Sequence, residues 1–96
     1  NVLTGPGKLV GEALCAHSGV DKVAFTGETE TGKRILQLAA GTIKKVSLEL
    51  GGKSPNVVFP DADFPEAVDG SLFAIYTNAG QRCTARTRLF LHKDIH

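Results

Sequence analysis

Two short stretches hold the residues that could do chemistry: GQRCTA, Gly80 to Ala85, and LELGG, Leu48 to Gly52. The first sets Cys83 among Gln81, Arg82, Thr84 and Arg86, a polar loop setting in which a thiol is accessible. The second sets one carboxylate, Glu49, between apolar strand residues. A thiol and a carboxylate together are a recipe for covalent catalysis. Each residue also has a plainer reading. A free cysteine is most often a small buried hydrophobe, and Cys15, beside Ala13 and Leu14, fits that description. A carboxylate in a strand faces solvent, pairs with a basic side chain, or works as an acid or base at the strand end, and the strand alone favours the first two. The helical pattern ahead of Cys83 runs to about Gly80, so the thiol is expected three residues past a helix C-terminus. That pole is partially negative, and activation would have to come from Arg82, a cofactor's positive charge or a nearby base.

The elements that must position these residues follow from periodicity. Asn1 to Thr4 is a short apolar run ending at Gly5-Pro6-Gly7 and reads as the tail of a strand. Lys8 to Ser18 repeats apolar residues at helical spacing, with Gly19 as its stop. Lys22 to Thr26 (KVAFT) reads as a buried strand, and Glu30 to Ala40 as a second helix stopped by Gly41. Lys44 to Leu50 alternates, with Val46, Leu48 and Leu50 on one face and Ser47 and Glu49 on the other. Asn56 to Phe59 begins another strand, ended by Pro60. Asp63 and Glu66 form a capping box ahead of Val68, Leu72, Ile75, Tyr76 and Ala79, and Arg88 to His92 is a last strand candidate. Strand and helix alternating through the first half predict an α/β fold with right-handed crossovers and a parallel sheet. After Gly51-Gly52 a different unit starts.

Composition removes several function classes. With 96 residues the chain holds one domain's worth of core at most, and 42% hydrophobic with 22% charged residues is ordinary for a globular protein. A net charge of +1 gives no strong attraction to nucleic acid or anionic lipid, and charges or glycines break every apolar run short of a membrane span. Neither is expected as a partner. The chain starts at Asn1 and contains no methionine, so it reads as an internal piece of something longer. Two cysteines without a secretory leader point to a reducing compartment, such as the cytoplasm, and against a disulfide. His17, His92 and His96 look like surface or strand-end residues with no metal-ligand spacing to the cysteines, and no metal is assigned.

Two glycine patterns compete for a nucleotide. Gly5, Gly7 and Gly11 form GxGxxxG, one residue longer than the dinucleotide fingerprint in its last gap, and a plain turn into a helix explains it equally well. Gly27 to Arg34 (GETETGKR) has the GxxxxGK skeleton of a P-loop between a strand and a helix. It lacks the following hydroxyl for magnesium, having Arg34 there, and it places Glu28 and Glu30 where phosphates would sit.

LELGGKSPN (Leu48 to Asn56) and NAGQRCTA (Asn78 to Ala85), with VAFTGETETGKRI (Val23 to Ile35) before them and RLFLH after, closely resemble the NAD(P)-dependent aldehyde dehydrogenase superfamily. The resemblance covers essentially the whole chain, including the 34-residue separation of glutamate and cysteine. It implies residues 1–51 as the C-terminal half of a Rossmann-like NAD(P)-binding domain and 52–96 as the N-terminal part of the catalytic domain. It further implies Cys83 as the nucleophile, Glu49 as the base for thioester hydrolysis, and the Cys83 N–H as half of an oxyanion hole. Gly27, Glu28, Thr29 and Gly32 would lie by the pyrophosphate and nicotinamide, with Leu50 near them and Gly7 beside the adenine end. The implied cofactor is NAD or NADP, the implied substrate a small aldehyde, and the implied parent a homo-oligomer. Glu28 stands where the family usually has Ser, and Arg86 where Gly is common; like charge at Glu28 is expected to weaken cofactor binding or turn the side chain outward.

Overall fold

Gly51 and Gly52 follow the last residue of a strand, and the chain divides there into two compact units, Asn1–Gly51 and Gly52–His96. The structure, a computed structural model, describes residues 1 to 96. In the first unit helix α1 (Gly7–Ala16), strand β1 (Lys22–Gly27), helix α2 (Thr29–Ala40) and strand β2 (Lys45–Leu50) follow one another. β1 and β2 pair in parallel, Val23 opposite Val46, Phe25 opposite Leu48 and Gly27 opposite Leu50. The alternating residues Val46, Leu48 and Leu50 turn toward the helices and are half-buried, while Ser47 and Glu49 are exposed. β1 is half-covered rather than buried: Val23 and Phe25 are sheltered, but Ala24 and Thr26 are open, since α2 packs on one face only. The core is small, made of Cys15, Ile35 and Ala39.

In this unit the chain start and the end of α1 differ from the sequence expectation, and the backbone after α2 departs from the usual glycine stop. Asn1–Thr4 forms no strand, because no neighbouring strand offers it a ladder, and Val2 and Leu3 are exposed. α1 stops at Ala16 rather than at Gly19: His17 turns extended, its backbone N–H donates to Leu14 O, and its ring Nδ1 accepts from the Gly19 N–H at 2.9 Å. A histidine ring thus supplies the acceptor that closes the turn. After α2, Gly41 keeps right-handed backbone and the left-handed position falls on exposed Ile43, φ 52°.

The second unit runs β3 (Pro55–Val58), α3 (Phe64–Tyr76) and β4 (Arg88–Leu91), with short 3-10 turns at Thr77–Gly80 and Lys93–Ile95. β3 and β4 pair in parallel from Pro55 opposite Arg88 to Val58 opposite Leu91. Asp63 caps α3, its Oδ1 accepting from the Glu66 N–H at 3.2 Å, which is one arm of the expected capping box. Asn56 Nδ2 donates to Ser71 Oγ (2.7 Å), which donates in turn to Ala67 O (2.6 Å), tying β3 to α3. Val58 and Ala85 are buried, whereas Val68 and Leu72 on α3 stay about half exposed at 48% and 50%. α3 ends at Tyr76, short of the expected Gly80. Asn78, Ala79 and Gly80 all adopt left-handed backbone, φ 55°, 55° and 74°, which no right-handed helix can contain.

Candidate active site

In the first unit the C-terminal ends of two parallel strands and the N-terminal end of α2 share one edge. β1 ends at Gly27, opposite Leu50, and Thr26 lies opposite Glu49. Glu28 then occupies the N-cap of α2 and Thr29 begins the helix. In open parallel sheets this edge, beyond the carboxyl ends of the strands, is where ligands bind. Gly32 sits one turn into α2 and is buried against β2: a Cβ there would lie 2.8 Å from Leu50 Cδ2 and 3.5 Å from Leu48 Cδ1. Gly32 and Leu50 therefore meet each other, and the glycine's local task is to let helix and strand approach closely.

Glu28 makes no side-chain cap bond to α2, so the first N–H groups of the helix keep their donor capacity. Free N–H groups at a helix start suit an anionic group such as a pyrophosphate. The Glu30 carboxylate is engaged by Lys33 at 2.7 Å, which offsets its charge at this helix end and also occupies the lysine of the GxxxxGK skeleton. Gly7, the first residue of α1, lines a groove of about 620 Å³ together with Gly11, Thr31, Ile35 and Phe25. Across it Arg34 grips Glu12 with both ends of its guanidinium, Nε to Oε1 at 3.1 Å and Nη2 to Oε2 at 3.0 Å. That hydrogen bonding holds the Glu12 carboxyl below its ordinary 4.5. The pair joins residues 22 positions apart on two helices, a relation with no signal in sequence spacing.

Cys83 belongs to the second unit, Glu49 to the first. Cys83 is a free, exposed thiol, and Cys15 is free and buried. The helix end lies seven residues before Cys83, not three, and what intervenes is a chain of tight turns. Gln81 (φ −82°, ψ 62°) centres an inverse γ-turn in which the Arg82 N–H donates to Gly80 O at 2.9 Å. Arg82 to Ala85 is a β-turn closed by the Ala85 N–H on Arg82 O at 3.1 Å, and Cys83 is its second residue. The Cys83 N–H has no acceptor within the chain, and Ala85, 4% exposed, pins the turn in the core. The Arg86 N–H donates to Ala74 O at 3.3 Å. With the left-handed run in between, the loop is not a simple continuation of the helix, although the bond to Ala74 O keeps its second half beside the last turn of α3. The sequence held one clue to this, Asn78 and Gly80 being the residue types that tolerate left-handed backbone.

No group of three or more His, Cys, Asp or Glu side chains is placed to hold a metal ion, and no helix is long and apolar enough to cross a membrane.

The aldehyde dehydrogenase family profile matches residues 1–96. Aminoaldehyde dehydrogenase 2 of Zea mays is 57% identical over 96 residues, covering 99% of this chain and 19% of that protein. The putative aldehyde dehydrogenase DhaS of Bacillus subtilis (strain 168) is 53% identical over 94 residues, 98% of this chain and 19% of that protein. Among solved structures, betaine aldehyde dehydrogenase from Staphylococcus aureus in complex with NAD+ superposes with a TM-score of 0.90 at 47% identity, over 95% of this chain and 18% of that one. The chain thus spans about a fifth of the length of these relatives.

Proposed function

The chain belongs to the aldehyde dehydrogenase family, and from that premise we propose that it is the part of a longer enzyme that carries the nucleophile and base for oxidising an aldehyde to a carboxylic acid. The observation that carries the reading is Cys83: a free thiol exposed on a turn whose own N–H is unpaired, within a chain that matches the family from end to end. In this reading the Cys83 thiolate adds to the aldehyde carbon, and the developing oxyanion is met by the Cys83 N–H. NAD+ or NADP+, when bound, would supply the hydride acceptor for that carbon, so that the acyl group stays on Cys83 as a thioester. The Glu49 carboxylate then takes a proton from water, the hydroxide adds to the acyl carbon, the C–S bond breaks, and the acid leaves with the thiolate restored. The backbone of Gly27, Glu28 and Thr29 at the start of α2 would hold the pyrophosphate side of the cofactor, with the Glu28 carboxylate turned away from it, Gly32 and Leu50 would shape the wall behind it, and Gly7 would lie at the adenine side.

Residues 1–51 are then the later part of the cofactor domain and 52–96 the start of the catalytic domain, a division supported by the separation of two units at Gly51. NAD is the cofactor supported by the relatives' complexes. A small-molecule aldehyde, a homo-oligomeric parent and a reducing compartment complete the proposal.

In the full-length enzyme, Cys83→Ala abolishes aldehyde-dependent NADH formation, about a thousandfold or more. Glu49→Gln retains one equivalent of NADH per site but lowers the steady-state rate about a hundredfold. Turnover that survives Cys83→Ala, or a steady-state rate untouched by Glu49→Gln, removes the corresponding role. The 96 residues alone are expected to show no turnover, since they hold only one oxyanion donor and part of the cofactor surface.

A further inference from the structure

In the loop from Gln81 to Thr87 the short backbone bonds are local turns, and apart from buried Ala85 its ties to the rest of the unit are long. At its entry Asn78 Nδ2 donates to Gln81 O at 3.2 Å. In its second half the Arg86 N–H reaches Ala74 O at 3.3 Å and the Arg88 N–H reaches Ser54 O at 3.3 Å, both at the long end for hydrogen bonds. One contact is different. Arg88 Nε donates to Lys53 O at 2.7 Å, a short charge-assisted bond between residues 35 apart. The same guanidinium lies 5.3 Å from the centroid of the Phe90 ring, two residues on and on the same face of β4, so the group is held through Nε on one side and by the ring on another. The Lys53 carbonyl follows directly on Gly51-Gly52, where the backbone has little of its own to fix it.

We propose that Arg88 is a positioning residue for Cys83: its side chain anchors the exit of the Cys83 loop to the Lys53 carbonyl. The β3–β4 ladder does not depend on that side chain, so its loss frees Arg86 and Thr87 while leaving the strands paired. The loop then holds the thiol in a broader range of orientations, and near-attack geometry is populated less. This rests on the reading of Cys83 as nucleophile.

The test uses the full-length enzyme with propanal and NAD+ as probes, comparing Arg88→Leu, which keeps an apolar side chain on β4 but has no donor, with Arg88→Lys, which restores a cationic donor. Arg88→Leu is expected to lower kcat about tenfold with KM for NAD+ within about twofold and thermal midpoint nearly unchanged, and Arg88→Lys to recover kcat to within about threefold. Alkylation of Cys83 by iodoacetamide should proceed in both variants within about twofold of the parent rate, since the thiol stays exposed. A parental kcat in Arg88→Leu overturns the proposal, as does a parallel loss of kcat, NAD+ affinity and thermal midpoint that Arg88→Lys does not repair. Should Arg88→Leu fail to fold, Arg88→Lys alone decides, a kcat depressed up to about threefold at parental KM for NAD+ supporting the proposal and a shifted KM opposing it. Activity surviving in Cys83→Ala is a separate result that removes the nucleophile itself rather than the role of Arg88.

Discussion

The two units solve the problem of placing a functional group in opposite ways. The first gathers Gly27, Glu28, Thr29, Glu49 and Leu50 on one edge by regular structure alone: two parallel strands end together and a helix begins where one of them stops. The second places Cys83 by irregular backbone, a left-handed run from Asn78 to Gly80 and then γ- and β-turns. Regular structure suits a surface that must bind a long, shallow ligand. The Cys83 N–H stays unpaired because Cys83 is the second residue of a β-turn whose closing bond uses the Ala85 N–H instead. Strain follows the same division. The first unit's left-handed Ile43 sits before β2, at the sheet edge away from Glu49, whereas the second unit's lies directly ahead of Cys83.

The largest effect that would break this contrast is expected from Gly32→Val. Its side chain would collide with Leu50, where even a Cβ lies at 2.8 Å, and overpacking there should cost about 2–3 kcal/mol and weaken NAD binding by the full-length enzyme in calorimetry. Retention of both parental stability and affinity would mean that the edge does not rely on close helix–strand approach. Next, Gly80→Ala places a Cβ 3.2 Å from Ile75 O on left-handed backbone, for about 1–2 kcal/mol of destabilisation and slower Cys83 alkylation. Smaller, and of opposite sign, are Ile43→Gly and Ala79→Gly, each expected to stabilise by about 0.5–1 kcal/mol in denaturant titrations. Ile43→Gly should leave kcat alone and Ala79→Gly should lower it, because only the second loosens backbone next to the thiol; equal effects on kcat would erase the distinction between the units. Smallest is Glu12→Gln. The Glu12 carboxyl is lowered by Arg34, so its contribution is present above the ordinary 4.5 and disappears as pH falls through the lower folded value. The gap between parent and Glu12→Gln melting curves should therefore narrow as pH falls below 4.5 and shrink in high salt, as partly exposed ion pairs do.

Legibility in the sequence follows the same line. The strands around Phe25 and Leu48, the helix over Ile35 and Ala39 and the outward turn of Glu49 were all written in period-2 and period-3.6 patterns, because local pattern and burial agree there. The end of α3 differs from the pattern because Ala79 falls at helical spacing while its backbone is left-handed, a conformation periodicity cannot register. Gly19 does not itself stop α1, which ends at Ala16 with the His17 ring nitrogen accepting from the Gly19 N–H. The Arg34–Glu12 and Arg88–Lys53 bonds span 22 and 35 residues and become visible only once the chain is folded. The helical pattern did locate the polar loop around Cys83, but not the turns that present it.

Each sheet has only two strands, so every strand in the molecule keeps one side of its hydrogen-bonding ladder open. An open ladder recruits whatever extended backbone is nearest, and two-stranded sheets are marginal by themselves. With Leu89 and Phe90 of β4 also uncovered, 55% and 47% exposed, these 96 residues handled alone offer other copies a template for strand addition. Dilution, and lysine or proline placed on the outer edge of β4, are the means by which such association is held off.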